Sequence, residues 1–376
     1  MQSDKKYELI TKNIEEILLP EDLRGIIEKK IKLKHYIGFE ISGYVHLGTG
    51  IMSMSKIKDF QEAGVDCSIL LADWHTWIND KLDGRLETAR EVAQDYFAEA
   101  LKASLRCVGS EKKVKFVLGS RLYHNNDKYW ETVVDIAKHT TLSRMLRSTT
   151  ILGRELGESI DFAKLIYPAM QVADIFIQEV NITQAGIDQR KAHVIARDAA
   201  LKLKRPLKFN NQPYKPVAVH HHLILGLQQP PVWPMQQEQL KNIMAKMKMS
   251  KSIPMSAVFI HDAPEIIGEK LNKAFCPVGN IEYNPVLDWV KHLIFNCAGT
   301  KKFTVERPIK FGGNTTFTNY QELEKAFAEQ KLHPADLKKA TAEALITLLA
   351  PARKHFKKPK PAEAKERLER LIKKSA

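Results

Sequence analysis

Ser42-Gly43-Tyr44-Val45-His46-Leu47-Gly48-Thr49 is the first segment whose residue types could do chemistry, at a predicted strand-to-helix junction. A helix N-terminus there offers backbone N–H groups and the positive end of the helix dipole, both suited to phosphate. Gly48 has no side chain, so a nucleotide base can pack against the backbone. A second segment, Lys246-Met247-Lys248-Met249-Ser250-Lys251-Ser252, is bounded by Pro254. Several ammonium groups in a small serine-containing loop can neutralise a polyphosphate in a closed state. Alone, it would pass for a solvated basic loop. A third set is Tyr167, Gln171 and Asp174, whose helical offsets of four, three and seven put three polar groups on one face. Met170, Val172 and Ala173 sit among them, so that face is not simply wet. A buried Asp174 is costly without a hydrogen-bond partner, which makes it a candidate ligand contact.

These segments need a scaffold. Apolar residues at helical spacing (Ile10, Ile14, Ile17, Leu18) predict one amphipathic helix within residues 7–31. Short β-prone runs follow at His35–Ile41, Ser68–Ala72 and Val114–Leu118. Helical periodicity after His46 runs to Gly64, and that of Leu86–Val108 closes at Gly109, both positions suited to a left-handed cap. Strands alternating with helices indicate βαβ units and a parallel sheet. The segment 203–235, rich in proline and amides, reads as an irregular insertion, and from Pro264 the pattern turns helical. The expectation is an α/β, Rossmann-like catalytic domain over residues 1–262, followed by a smaller, mainly helical domain over 263–376.

The chain has 376 residues, and 58 Lys+Arg against 44 Asp+Glu leave a net charge of +14, which favours a polyanionic partner such as nucleic acid. Ten Lys or Arg and three Glu between Arg353 and Ala376 put half of that charge in the tail, where Leu368, Leu371 and Ile372 form a short apolar stripe. An accessory RNA contact and a solvated helix both fit the tail. Cys67, Cys107, Cys276 and Cys297 lack the close spacing of a zinc site, so reduced thiols and no dedicated protein metal site are expected. The chain shows no apolar run long enough to span a membrane and no signal-like N-terminus, so a cytoplasmic protein is expected.

The first two segments together resemble the paired signatures of class I aminoacyl-tRNA synthetases: His46-Leu47-Gly48-Thr49 the first, Lys248-Met249-Ser250-Lys251-Ser252 the second. Gly186-Ile187-Asp188-Gln189-Arg190-Lys191, Tyr36-Ile37-Gly38-Phe39-Glu40 and Leu71-Ala72-Asp73-Trp74-His75 are similar to the tyrosyl-tRNA synthetases of the archaeal and eukaryotic branch. Arg307-Pro308-Ile309-Lys310-Phe311-Gly312-Gly313 and Leu332-His333-Pro334-Ala335-Asp336-Leu337 resemble that branch's anticodon-binding domain. The match covers about residues 8–355, with the 205–240 insertion and the tail outside it.

The resemblance implies ATP-dependent ligation of L-tyrosine to tRNA(Tyr), with Mg²⁺ arriving on ATP. His46, Lys248 and Lys251 would stabilise the transferring phosphates. Tyr36 and Asp174 would hydrogen-bond the phenol, Tyr167, Gln171 and Gln189 would hold the α-amino group, and Leu70, Ala72 and His75 would line the ring pocket. Glu40, Gly48, Gly186, Asp188, Met249, Ser250 and Ser252 would contact ATP, Asp188 through the ribose. Arg190 would meet the acceptor stem, and His333 and Asp336 would read the anticodon; unaided, His-Pro-x-Asp is also a plausible helix cap. A homodimer joined through a connective insertion near 110–165 is implied as well. The chain departs from the family pattern at Thr49, where a second histidine is usual, at Ile41, where proline is frequent, and at Ala185, where glycine is common. Two other readings are a tryptophanyl-tRNA synthetase of the same fold and a non-catalytic, synthetase-derived RNA-binding protein, which Thr49 would favour.

Overall fold

The computed structural model describes residues 2–110, 113–153, 159, 161–234, 247–249, 251 and 253–375. Its strands are β1 (Glu16–Leu18), β2 (Lys34–Phe39), β3 (Asp66–Leu71), β4 (Lys115–Leu118), β5 (Ile182–Gly186), β6 (Leu207–Phe209), β7 (Gln212–Tyr214), β8 (Val217–His221), β9 (Phe303–Val305) and β10 (Thr315–Phe317). Six of them form one sheet in the order β1-β8-β5-β2-β3-β4. Five run parallel, and β1 lies antiparallel along β8 at the edge. Strand order runs outward from β2 through β3 to β4 and from β5 to β8 on the other side. The crevice at the carboxyl ends of β2 and β5 is therefore a topological switch point, where open α/β sheets bind ligands.

The predicted α/β architecture holds, and Gly64 and Gly109 both take positive φ (79° and 72°) at helix ends, as a left-handed cap requires. Two local expectations fail, and a third, the solvated reading of the tail, is narrowed. The single helix expected within 7–31 is two, Ser3–Thr11 and Pro20–Glu28, with β1 between them. Pro20 cannot donate an N–H to a continuing helix, and residues 16–18 gain backbone pairing with β8 instead, in the register Glu16↔His220 and Leu18↔Ala218. The second correction concerns 203–235, which is not irregular. It holds a β6–β7 hairpin turning at Asn210 and Asn211 (φ 49° and 62°), the left-handed pair of a tight hairpin. It also supplies β8, buried along its whole length.

The third concerns the tail. Helix Pro359–Ser375 is neither free nor wholly solvated: Leu368 is fully buried and Arg367 pairs with Asp95 at 2.9 Å. Burying such a leucine contributes roughly 1.5–3 kcal/mol towards holding the tail against the fold. Phe356, just before that helix, packs on Tyr96 with centroids 5.7 Å apart. One apolar core runs from Ile37 and Ile57 at the sheet through Trp289 to Leu345 and Leu368 in the helical region. Among the described residues, no helix is long and apolar enough to cross a membrane.

Candidate active site

A cavity of about 540 Å³ opens at the switch point. Its lining unites residues far apart in the chain: Tyr36 and Glu40 on and just after β2, His46, Gly48 and Thr49 at the following turn, and Leu70, Ala72 and His75 around the end of β3. Helix Phe162–Ile177 contributes Tyr167, Gln171 and Asp174, the end of β5 contributes Gly186, Asp188 and Gln189, and the basic segment contributes Lys248, Met249 and Lys251. Helix Phe162–Ile177 starts where the Asp161 carboxylate accepts the Lys164 N–H (3.2 Å), a side-chain cap that sets its register. The expected single face of Tyr167, Gln171 and Asp174 turns into the cavity instead of into water.

One end is aromatic and almost dry. Asp174, 1% exposed, accepts from Tyr129 Oη at 3.3 Å, and His75 Nε2 lies 3.9 Å from its other oxygen. Burial drives the Asp174 carboxyl well above the ordinary carboxylate range, and the Tyr123 and Tyr129 hydroxyls offset that only in part. Burial also holds His75 near 3, so its contact with Asp174 is not an ion pair at neutral pH. The imidazole stands edge-on to Tyr167, centroids 4.5 Å apart. Tyr36 Oη donates to the Gln171 carbonyl at 3.4 Å. Gln171 Nε2 donates to Gln189 Oε1 (3.3 Å), and Gln189 Nε2 to the Ile151 carbonyl (3.0 Å). Gln171 Oε1 and His75 Nε2 are buried without a hydrogen-bond partner. An orphaned amide oxygen in a cavity wall can accept from an ammonium group.

The other end is cationic. Lys248 Nζ sits 2.7 Å from Asp188 Oδ2, and Lys251 Nζ donates to Ser42 Oγ at 3.0 Å. Burial pulls the Lys251 ammonium down to about 8, with Glu40 pulling the other way. Glu40 is itself raised by burial, against Lys81 and a 2.7 Å hydrogen bond from Asn79. His46 differs from expectation. Its Nδ1 accepts from the backbone N–H groups of Gly48 (3.1 Å) and Thr49 (3.4 Å), so those donors are not free for phosphate. That bonding puts the ring proton on Nε2, 3.4 Å from Thr49 Oγ1. Burial, with Lys251 and Lys248 nearby, holds His46 near 3, so it is a neutral donor and not a cation.

The remaining sequence candidates lie elsewhere. Ser250 and Ser252 are outside the described residues. Arg190, beyond the cavity lining, makes two bonds to Glu16 at 2.8 and 2.9 Å. His333 is exposed and caps helix Pro334–Leu348, its Nδ1 accepting from the Ala335 N–H at 3.1 Å, with Asp336 in the first turn. The cap read from His-Pro-x-Asp is thus real. Arg307 ties the neighbouring loop to the Lys331 carbonyl (2.8 Å), next to the exposed Ile309 and Phe311. Sequence reasoning missed Tyr123 and Tyr129, which surround Asp174, and Lys81, a third cation in the cavity wall. No spacing links any of them to their partners, and Lys81 reads as one more polar residue in a turn.

Residues 28–350 match the family model described as tRNA synthetases class I (W and Y). A tyrosine–tRNA ligase of Thermococcus sibiricus is 58% identical over 368 residues, spanning 96% of this chain and 98% of that one. The crystal structure of a Pyrococcus horikoshii tyrosyl-tRNA synthetase complexed with L-tyrosine superposes with a TM-score of 0.94 at 56% identity, covering 97% of this chain and 100% of that one. The Aeropyrum pernix tyrosyl-tRNA synthetase follows at TM-score 0.81 and 37% identity, over 98% of this chain and 99% of that one. With its cavity at the switch point and its near full-length match to these proteins, the chain belongs to the class I tRNA synthetases, in the tyrosyl group.

Proposed function

We propose that the chain activates L-tyrosine with ATP to tyrosyl-adenylate and pyrophosphate, then transfers the tyrosyl group to the 3′ end of tRNA(Tyr). The observation that carries this reading is the cavity's division into two chemically opposite ends. A dry aromatic end holds one carboxyl, Asp174, with the phenol of Tyr36; the other end holds Lys81, Lys248 and Lys251. A phenol-bearing amino acid fits the first and a polyphosphate the second.

The chemistry needs no protein nucleophile. The tyrosine carboxylate attacks the α-phosphorus of ATP, a carboxyl–phosphate bond forms, and the bond to pyrophosphate breaks. The protein supplies orientation and fixed charge. Gln171 Oε1, Gln189 and Tyr167 hold the α-ammonium, which fits the unpartnered Gln171 oxygen. Asp188 takes the ribose hydroxyls, releasing Lys248 to join Lys251 on the departing phosphates. Neutral His46 donates from Nε2. Gly48, Gly186, Glu40 and Met249 shape the nucleotide's bed. Mg²⁺ enters with ATP as part of that substrate. The terminal ribose hydroxyl of tRNA(Tyr) then attacks the activated carbonyl and AMP leaves. Phenylalanine brings no hydroxyl to the hydrogen bonds that Tyr36 and Asp174 can offer in a dry site, a discrimination for which tyrosyl-tRNA synthetases are themselves the standard illustration.

Residues 1–262 form the catalytic domain and 263–376 the tRNA-reading domain, where His333 stacks on an anticodon base and Asp336 accepts from a base edge. Arg190 meets the acceptor stem by exchanging Glu16 for phosphate. The exposed Val134, Leu142 and Leu146, all on helices of the connective insertion, support a homodimer joined there. Its substrates place the enzyme in the cytoplasm.

The test is amino-acid-dependent exchange of labelled pyrophosphate into ATP, with tyrosine, phenylalanine and tryptophan assayed separately. Exchange with tyrosine alone is expected. Exchange with tryptophan would overturn the pocket assignment, and no exchange from folded, tRNA-binding protein would leave the non-catalytic reading.

A further inference from the structure

Beyond β8 the chain passes under the basic segment. Met249 N–H donates to the Ile224 carbonyl (2.9 Å) and Gly226 N–H to the Met247 carbonyl (2.7 Å), so Leu225 and Lys248 face each other across a short antiparallel bridge. In such a bridge the intervening residue's own N–H and C=O point to the opposite side. For Leu225 that side is the helical region. Its N–H donates to Asp288 Oδ2 (3.0 Å), and its carbonyl accepts from Trp289 Nε1 (2.7 Å). Both groups sit on helix Pro285–Trp289, whose start is fixed by Asn284 Oδ1 accepting from Val286 and Leu287. Trp289 is fully buried and Leu225 is 6% exposed. Asp288 Oδ1 also accepts from His222 Nε2 at 2.7 Å, and the far ring nitrogen of His222 lies 3.3 Å from Glu15.

His222, Asp288 and His292 are close enough together to suggest a cation site. The two imidazoles, however, stack 4.2 Å apart at 16°, and lone pairs in parallel rings do not converge on one ion. The cluster instead braces the Asp288 carboxylate.

We propose that Asp288 and Trp289 are positioning residues for the phosphate-facing lysines: by capturing both backbone groups of Leu225 they fix the strand against which Lys248, and three residues on Lys251, are registered. This rests on the proposed function, in which those lysines act on ATP. A buried N–H that loses its acceptor pulls its segment out of register, and a displacement of about 1 Å is enough to weaken a preorganised charge site. The tyrosine end of the cavity is built from other elements and is untouched.

The test uses the full chain and two readouts, tyrosine-dependent pyrophosphate exchange and equilibrium tyrosine binding. Asp288→Ala should lower kcat/KM for ATP by on the order of tenfold while tyrosine Kd stays within about twofold. Asp288→Asn, which keeps an oxygen acceptor for the Leu225 N–H, should recover most of that loss. Trp289→Phe removes the donor while keeping an aromatic ring, and should move ATP kinetics the same way even if Asp288→Ala does not fold. Unchanged ATP kinetics in folded variants, or an equal loss of tyrosine affinity, would overturn the clamp alone. Absence of exchange in the unaltered chain would overturn the proposed function and the clamp with it.

Discussion

Replacing Asp174 with alanine separates a substrate-binding carboxyl from a structural one. The carboxyl is 1% exposed, and burial already disfavours its ionised form, so the fold gains little from it. Tyr129 Oη, which donates to Asp174, also lies 3.3 Å from the Met170 carbonyl and keeps a partner when Asp174 is gone. Asp174→Ala should therefore fold. Bound tyrosine would lose a hydrogen bond to an uncharged carboxyl, about 0.5–1.5 kcal/mol, and its phenol would stay buried beside apolar neighbours, about 1–3 kcal/mol more. Allowing for partial rescue by Tyr36, a loss of about 3 kcal/mol is expected, on the order of a hundredfold in tyrosine Kd at about 1.4 kcal/mol per tenfold. Isothermal titration with tyrosine measures this directly, and tRNA binding by the same variant is the control. A tyrosine Kd within threefold of the unaltered chain, or tRNA binding that falls by the same factor, would refute the assignment.

Burial holds Lys251 near 8, so kcat/KM for ATP should fall as pH rises through about 8, by up to about tenfold per pH unit, as the ammonium is lost. Lys251→Arg, which keeps its charge, should flatten that limb; an unchanged limb would assign it to another group. At Gly186 an added Cβ would stand 2.7 Å from Asp188 Oδ1 and 2.7 Å from Leu223. Gly186→Ala should push Asp188 off Lys248 and raise KM for ATP roughly tenfold, the equivalent of one lost hydrogen bond, with tyrosine binding intact. His333→Ala should cost about 1 kcal/mol of thermal stability as a lost cap. It should also reduce tRNA charging, as should Asp336→Ala, with pyrophosphate exchange unchanged in both; a fall in exchange would point to a folding role.

Much of the site was legible in the sequence because its chemistry is local. The His46–Thr49 turn, the Lys248–Ser252 loop and the Tyr167–Gln171–Asp174 face are each set by residues within a few positions of one another. Helical periodicity alone placed the last three on one face, and Gly64 and Gly109 marked helix ends because only a residue free to take positive φ sits easily there. Whether that helical face met water or a cavity was decided by packing: the same spacing serves either outcome, and Asp174 is dry because Tyr129 and Tyr123 close over it from a separate part of the chain.

Long-range pairing left no local trace. β1 was hidden in a helical pattern because its three residues acquire their conformation from β8, about two hundred positions away in the register Glu16↔His220. β8 was hidden in turn because a five-residue strand ending in two histidines, among prolines and amides, carries too short an apolar run to read as a central strand. His46 supplied the functional counterpart: its motif was plain, but only the fold buries the ring within the field of two lysines and turns Nδ1 onto the backbone, making it a neutral donor. The residue types and their short spacings thus belong to the sequence. Which of them lose water, and so which charges survive and which hydrogen bonds must be made, belongs to the tertiary structure, because desolvation depends on everything packed around a group and not on its neighbours in the chain.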